Sequence, residues 1–151
     1  MNAKPDSGAN VRQAVPFFHV TSMPESIRFY VDGLGCAIKN QWVVDGKLRW
    51  CWLELGEAAL MLQDYTTESG EVIKPQGAPG IGVSVSFQCR DAIALYHEFK
   101  RRGLQPSKPF VGNGMWVTIL QDPDGFNLEF ESITDAPEES EYQEEPATGK
   151  S

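Results

Sequence analysis

The chain has no C-x-x-C pair, and its three cysteines, Cys36, Cys51 and Cys89, are odd in number and widely spaced. This excludes a disulfide framework and a thiolate zinc site, and points to a reducing, cytoplasmic compartment. No stretch approaches the ~18 apolar residues of a membrane span, and the polar start MNAKPDSGAN has no apolar h-region. A soluble, unexported protein with no membrane partner is therefore expected. Basic residues are few: 13 Lys and Arg stand against 21 Asp and Glu, for a net charge of -8. Their one cluster, Lys100 to Arg102, sits where a helix C-terminus favours cations. No basic stripe exists to neutralise phosphates, so nucleic acid is excluded as a partner.

What is present fits a single domain of ordinary size, 151 residues long, able to bury a core without a structural metal. The acidity is lopsided. From Asp135 to Ser151 six acids face Lys150 alone, which is -5 and leaves -3 for the preceding 134 residues. Residues 135–151 hold little apolar surface to offset ordering entropy, which predicts a disordered acidic tail. Residues 1–13 read as a flexible N-terminus and 14–134 as the folded domain.

Within that domain a Gly/Pro/polar connector without periodicity, residues 66–79, separates two similar halves, 14–65 and 80–134. In the first, VPFFHV leads through SMP to the helical pattern ESIRFYVDGLG. Ser22 is its N-cap, Glu25 completes a capping box, and Ile27, Tyr30, Val31 and Leu34 share one face. In the second, VSVSFQ places Val83, Val85 and Phe87 opposite Ser84, Ser86 and Gln88, the period of a half-buried strand. The helical stretch DAIALYHEFKRRG follows, with Gly103 to end it. Strand-like pairs come next: KLRWCWLEL and AALMLQD, then MWVTILQD and FNLEFES, with Pro123 and Gly125 shaping the DPDG turn. Each half is thus a βαβββ unit, giving an α+β fold of two tandem modules with curved mixed sheets, helices outside and a ligand cup inside.

Two βαβββ halves, the entry segment SMPESIRFYVDGLG and the exit segment DPDGFNLEFE together resemble the vicinal oxygen chelate superfamily of glyoxalases, bleomycin-binding proteins, fosfomycin-modifying enzymes and extradiol dioxygenases. The resemblance spans about Val15 to Ile133. It implies that metal-dependent members hold a divalent ion with four His, Glu or Gln ligands, one on the first and one on the last strand of each half. Carried onto this chain, those positions are Val15, Met61, Ser84 and Glu129. The offsets agree with a duplication: 69 residues from Val15 to Ser84 and 68 from Met61 to Glu129. Valine offers no donor, a thioether is soft and a lone serine hydroxyl is weak, so no metal and no other cofactor is expected. His19, on the same side as Val15, lies about 13 Å further along the strand at ~3.3 Å per residue and does not rescue the site.

Phe17 and Met61 then make the cup floor apolar, while Gln63, Ser84, Ser86 and Glu129 supply convergent polar groups, a combination suited to a small organic ligand. Trp50 and Trp52 alternate with Cys51, Leu53 and Leu55 and are assigned to the cup, as is Trp116. Trp42 precedes the VVDGK turn and is left outside it. Partial desolvation should raise the Glu129 pKa and favour a cationic or hydrogen-bond-donating planar ligand. His19 reads as a rim or pocket-contacting residue, and His97 as a solvent-facing one. The resemblance implies a metal-independent homodimer similar to bleomycin-sequestering antibiotic resistance proteins. The alternative it allows is a glyoxalase- or dioxygenase-like enzyme (lyase, isomerase or oxidoreductase), with a displaced metal or with Glu129 as catalytic general base.

Overall fold

A computed structural model describes residues 8–144. Strand β1 (Phe17–Val20) leads to helix α1 (Met23–Ile27), which Ser22 caps by accepting the Glu25 amide at 3.3 Å. The apolar pattern predicts a regular helix beyond Ile27; instead Arg28–Gly33 widens into a π-helical turn. That turn carries Tyr30, fully buried and bonded to an acid of the other half. Strands β2 (Ala37–Val44), β3 (Lys47–Leu55) and β4 (Ala58–Asp64) follow, and Asp45 and Gly46, both at positive φ, reverse the chain between the first two. The second half holds β5 (Ser84–Gln88), α2 (Ala92–Arg101), β6 (Phe110–Gly112), β7 (Met115–Gln121) and β8 (Asn127–Ile133).

The sheets are ordered β1-β4-β3-β2 and β5-β8-β7-β6, each with one parallel pair, β1 with β4 and β5 with β8. Register carries the duplication into three dimensions. Phe17 lies beside Met61, and Ser86 lies beside Glu129, so the two pairs are again 69 and 68 residues apart. The alternation reads as the sequence predicts: Phe18, Val20, Cys51, Leu53, Leu60 and Leu62 are buried in the first half, and Phe87, Leu128 and Phe130 in the second. Val83 departs from the pattern, preceding β5 and 40 % exposed.

One core runs through both halves. Phe18 stacks on Phe126 with ring centroids 4.0 Å apart. Beside this stack the DPDG turn clasps the first half. The Tyr30 hydroxyl donates to Asp122 at 2.7 Å, and Asp122 also accepts the Asp124 and Phe126 amides, each at 2.9 Å. Asp124 accepts the Thr21 hydroxyl at 2.7 Å. The residue just after the connector presses on the same turn: a Cβ added at Gly80 would meet the Gly125 and Phe126 backbone at 2.3 Å. Gly80→Ala is therefore expected to destabilise the protein by about 1–3 kcal/mol, read as a lower thermal midpoint, because backbone cannot yield as a side chain would.

Two expectations change. Residues 66–79 are not wholly irregular: Thr66 bridges Val72, the Ile73 amide bonds Tyr65 O at 3.0 Å, and Arg49 donates to Thr66 O at 2.9 Å. The connector thus begins as a small hairpin continuing β4. Likewise the expected disordered tail is ordered through Glu144; residues 145–151 and 1–7 lie outside the described residues. Glu141 bridges Phe110, and main-chain bonds join Val111 to Ser140 at 2.8 Å and Tyr142 to Pro109 at 2.9 Å. His97, expected to face solvent, meets the Tyr142 hydroxyl at 3.0 Å, and Glu144 accepts from Lys100 at 3.0 Å. Apolar content alone understates such a segment, because the open edge of β6 supplies main-chain hydrogen bonds. No helix among the described residues is long and apolar enough to cross a membrane.

Candidate functional site

Side chains directly opposite in a sheet share a face. In the first sheet Trp52, Met61 and Phe17 make one row, and Trp50, Gln63 and His19 the next. In the second sheet Ile119, Glu129 and Ser86 make a row, flanked by Val117, Glu131 and Gln88 on one side and by Gln121, Asn127 and Ser84 on the other. Each set lies on the face away from the buried strand positions Phe18, Leu53, Leu62, Phe87, Leu128 and Phe130, with Val117 alone in the rows also buried. All predicted cup residues except Trp116 are thus gathered on these two faces.

Trp116 is a correction. It pairs with Ser132 and shares parity with the buried Thr118 and Leu120, so it lies on the helix side of its sheet. Its ring instead meets Tyr142 edge-on at 6.2 Å. Register gives the reason: Trp52 opposes Met61 as Ile119 opposes Glu129, an offset of 67 that makes Val117 the counterpart of Trp50 and Trp116 that of Arg49. Trp42 is 52 % exposed, with the Arg49 guanidinium 5.8 Å from its ring centroid.

The two faces differ chemically. The first is aromatic, with Phe17 and His19 edge-on at 5.1 Å. The second is acidic and polar. Gln88 donates to Glu131 at 2.8 Å and to Ser86 at 2.8 Å. Burial raises the Glu129 pKa above the ordinary carboxylate range, and the charge of Glu131 and a hydrogen bond with it push the same way. Gln88 and Glu131, which strand alternation puts on the faces of Ser86 and Glu129, were not counted among the ligand-binding residues from sequence, although the 69 and 68 offsets applied to His19 and Gln63 also lead to them. At the end of the first face an open cleft of about 370 Å³ lies between His19, Gln63 and Tyr65 and the connector residues Ile73 and Lys74. This cleft is invisible to strand periodicity.

The donor set at the four family positions does not fit a divalent ion. Val15 contributes nothing, Met61 a thioether, Ser84 an exposed hydroxyl and Glu129 one carboxylate. Among the described residues no three His, Cys, Asp or Glu side chains converge as a metal site. Burial pushes the Cys36 thiol up to about 12 and the Cys51 thiol up to about 11, so neither offers a thiolate at neutral pH.

Residues 14–130 match the family model described as the Glyoxalase/Bleomycin resistance protein/Dioxygenase superfamily. The chain belongs to that superfamily. Solved structures with the same fold include a bleomycin-binding protein complexed with bleomycin, 20 % identical with a TM-score of 0.60, covering 81 % of this chain and 98 % of that one. TnmS3, an antibiotic binding protein from Streptomyces sp. CB03234, is 18 % identical with a TM-score of 0.61, covering 83 % and 100 %. UcmS2 is 15 % identical with a TM-score of 0.64, covering 82 % and 98 %. No curated protein matches the chain in sequence. At these identities the likeness is one of fold, and a superfamily scaffold of this kind hosts unrelated activities.

Proposed function

We propose that this chain is a metal-independent small-molecule-binding protein that sequesters a planar organic ligand. The observation that carries the reading is that one sheet presents an aromatic and apolar face, Phe17, Trp50, Trp52 and Met61, and the other a polar face around Glu129, at the positions where the metal donors of the superfamily are replaced. A planar ring gains about 0.5–1.5 kcal/mol from aromatic contacts beyond area burial. A protonated amine or other donor on that ring would meet Glu129, whose pKa is raised by desolvation and by the neighbouring charge of Glu131. Resemblance to proteins that bind bleomycin and other antibiotics gives the ligand class a precedent.

Phe17 is 40 % exposed, and Ser84 and Ser86 are exposed, so both cup faces stand open in the single chain. An open aromatic face of this kind favours a homodimer in which each cleft takes one wall from each copy. Light scattering should give about twice 16.8 kDa; a monomer at micromolar concentration would remove the two-copy cleft.

Calorimetric titration with bleomycin and with smaller planar cationic compounds tests the binding reading. Trp52→Ala is expected to weaken any such binding by about ten-fold or more, as truncation of a central aromatic does, while Trp116→Phe leaves it unchanged. No binding by any planar compound would sink the proposal. A second reading is kept because of Glu129: a carboxyl with a raised pKa beside Glu131 suits a general base in a glyoxalase- or dioxygenase-like enzyme. Elemental analysis and recovery of the ligand separate the two. Sequestration predicts no stoichiometric divalent ion and a chemically unchanged ligand; a bound ion or a converted ligand favours the enzyme.

A further inference from the structure

The duplication places His19 and Gln63 where the second half has Gln88 and Glu131. In the second half those two side chains satisfy each other at 2.8 Å. In the first half the side chains of His19 and Gln63 make no hydrogen bond among the described residues, and both line the cleft beside Lys74, which has no acidic partner among those residues. The one carboxylate in the cleft wall, Asp64, is already engaged, accepting from Arg49 Nε at 3.1 Å and from the Thr66 amide at 3.1 Å. One cation and two uncommitted polar groups able to donate therefore meet in a cleft whose lining acid among the described residues is neutralised, while Asp124, whose charge reaches Tyr65, is held by the Thr21 hydroxyl. Tyr65 and Ile73 wall the same space, and the Tyr65 ring lies 5.5 Å from that of His19.

From this juxtaposition we infer that the connector cleft is a subsite for an anionic group, a carboxylate or its equivalent, on a ligand whose planar part lies on the aromatic face. The inference rests on the binding reading above and adds the ligand's second polar end. Geometry supports the size. The His19–Gln63–Trp50 row is the next row of side chains after Phe17–Met61–Trp52, and same-face rows are about 7 Å apart along a strand. That is close to the length of a fused bicyclic ring. A planar molecule seated on the second of these rows would thus deliver a terminal substituent to the first row and to Lys74. The small hairpin that ends at Ile73, next to Lys74, is tied back by Arg49 to Thr66 O and Thr67 O, so the cation follows directly on an anchored element.

Calorimetric titration of the full chain with 6-amino-2-naphthoate and with 6-amino-2-naphthamide tests it, since the two differ only in the charge of the substituent. The carboxylate is expected to bind about five-fold more tightly, the upper end for a partly exposed ion pair. Lys74→Met should erase that preference while amide binding persists, and Gln63→Leu should weaken it; Lys39→Met, an exposed lysine on β2, should leave it intact. Equal affinities for the two compounds, or an undiminished preference in Lys74→Met, would overturn the anionic subsite and leave the cup reading standing. Binding of neither compound would overturn the anionic subsite, and with no binding of bleomycin or the other planar compounds the cup reading as well.

Discussion

Asp122→Ala should cost about 3–5 kcal/mol of folding stability, measured by urea denaturation. The side chain is 5 % exposed and accepts three hydrogen bonds, from the Tyr30 hydroxyl and from the Asp124 and Phe126 amides. Alanine strands all three donors, and each buried unsatisfied group costs about 1–3 kcal/mol. Tyr30 belongs to the first half and Asp122 to the second, so the loss falls on the joint between modules. A reduced denaturant slope should accompany it if the halves then unfold separately. Asp122→Asn should be far milder, because Oδ1 still accepts both amides and the new amide can donate to Tyr30. The pH dependence has a definite sign. Burial raises the Asp122 pKa against the pull of its three donors. A carboxyl raised in the folded state gains stability as pH falls through its folded pKa toward its unfolded one. Wild type should therefore gain on Asp122→Asn over that acid window, and a relative loss there would show that the hydrogen bonds outweigh burial.

That clasp marks where the sequence stops being legible. The turn chemistry of DPDG, the alternation of FNLEFE and the βαβββ order all follow from local rules, and the strands and their faces match them. Asp122 and Asp124, read as ordinary turn residues, also bond across 92 and 103 residues of chain, and no periodicity encodes such partners. Trp116 shows a subtler limit. Its aromatic character invited a cup assignment, whereas parity in β7 puts it beside Thr118; register within the hairpin, more than residue type, decides the face. The segment from Asp135 to Glu144 fails for a third reason. Its composition lacks a core, but the free edge of β6 provides a partner that composition cannot report. The shared faces of the strand residues were readable because the duplication offers an internal ruler, and the connector cleft was not because it has no counterpart in the second half.

Neighbouring residues on β8 should respond to substitution in opposite ways. Phe130 is fully buried, stacked on Phe87 at 4.8 Å and met edge-on by Phe99 at 4.8 Å. Phe130→Ala removes that packing and leaves a cavity, for an expected loss of about 3–5 kcal/mol. Glu129, one position away on the other face, stands beside a like charge, and its raised pKa reports that ionising it is unfavourable there. Glu129→Gln should therefore match or exceed wild-type thermal stability at neutral pH. The difference should shrink as pH falls through the raised pKa and the wild-type carboxyl takes up its proton. On the proposed function, the same substitution should weaken binding of a planar cation, since the charge that repels Glu131 would attract the ligand's donor. A destabilised Glu129→Gln, or one that binds such ligands unchanged, would mark Glu129 as a structural residue. Stability lost at Phe130 with binding lost at Glu129 would instead place folding and function on opposite faces of one strand.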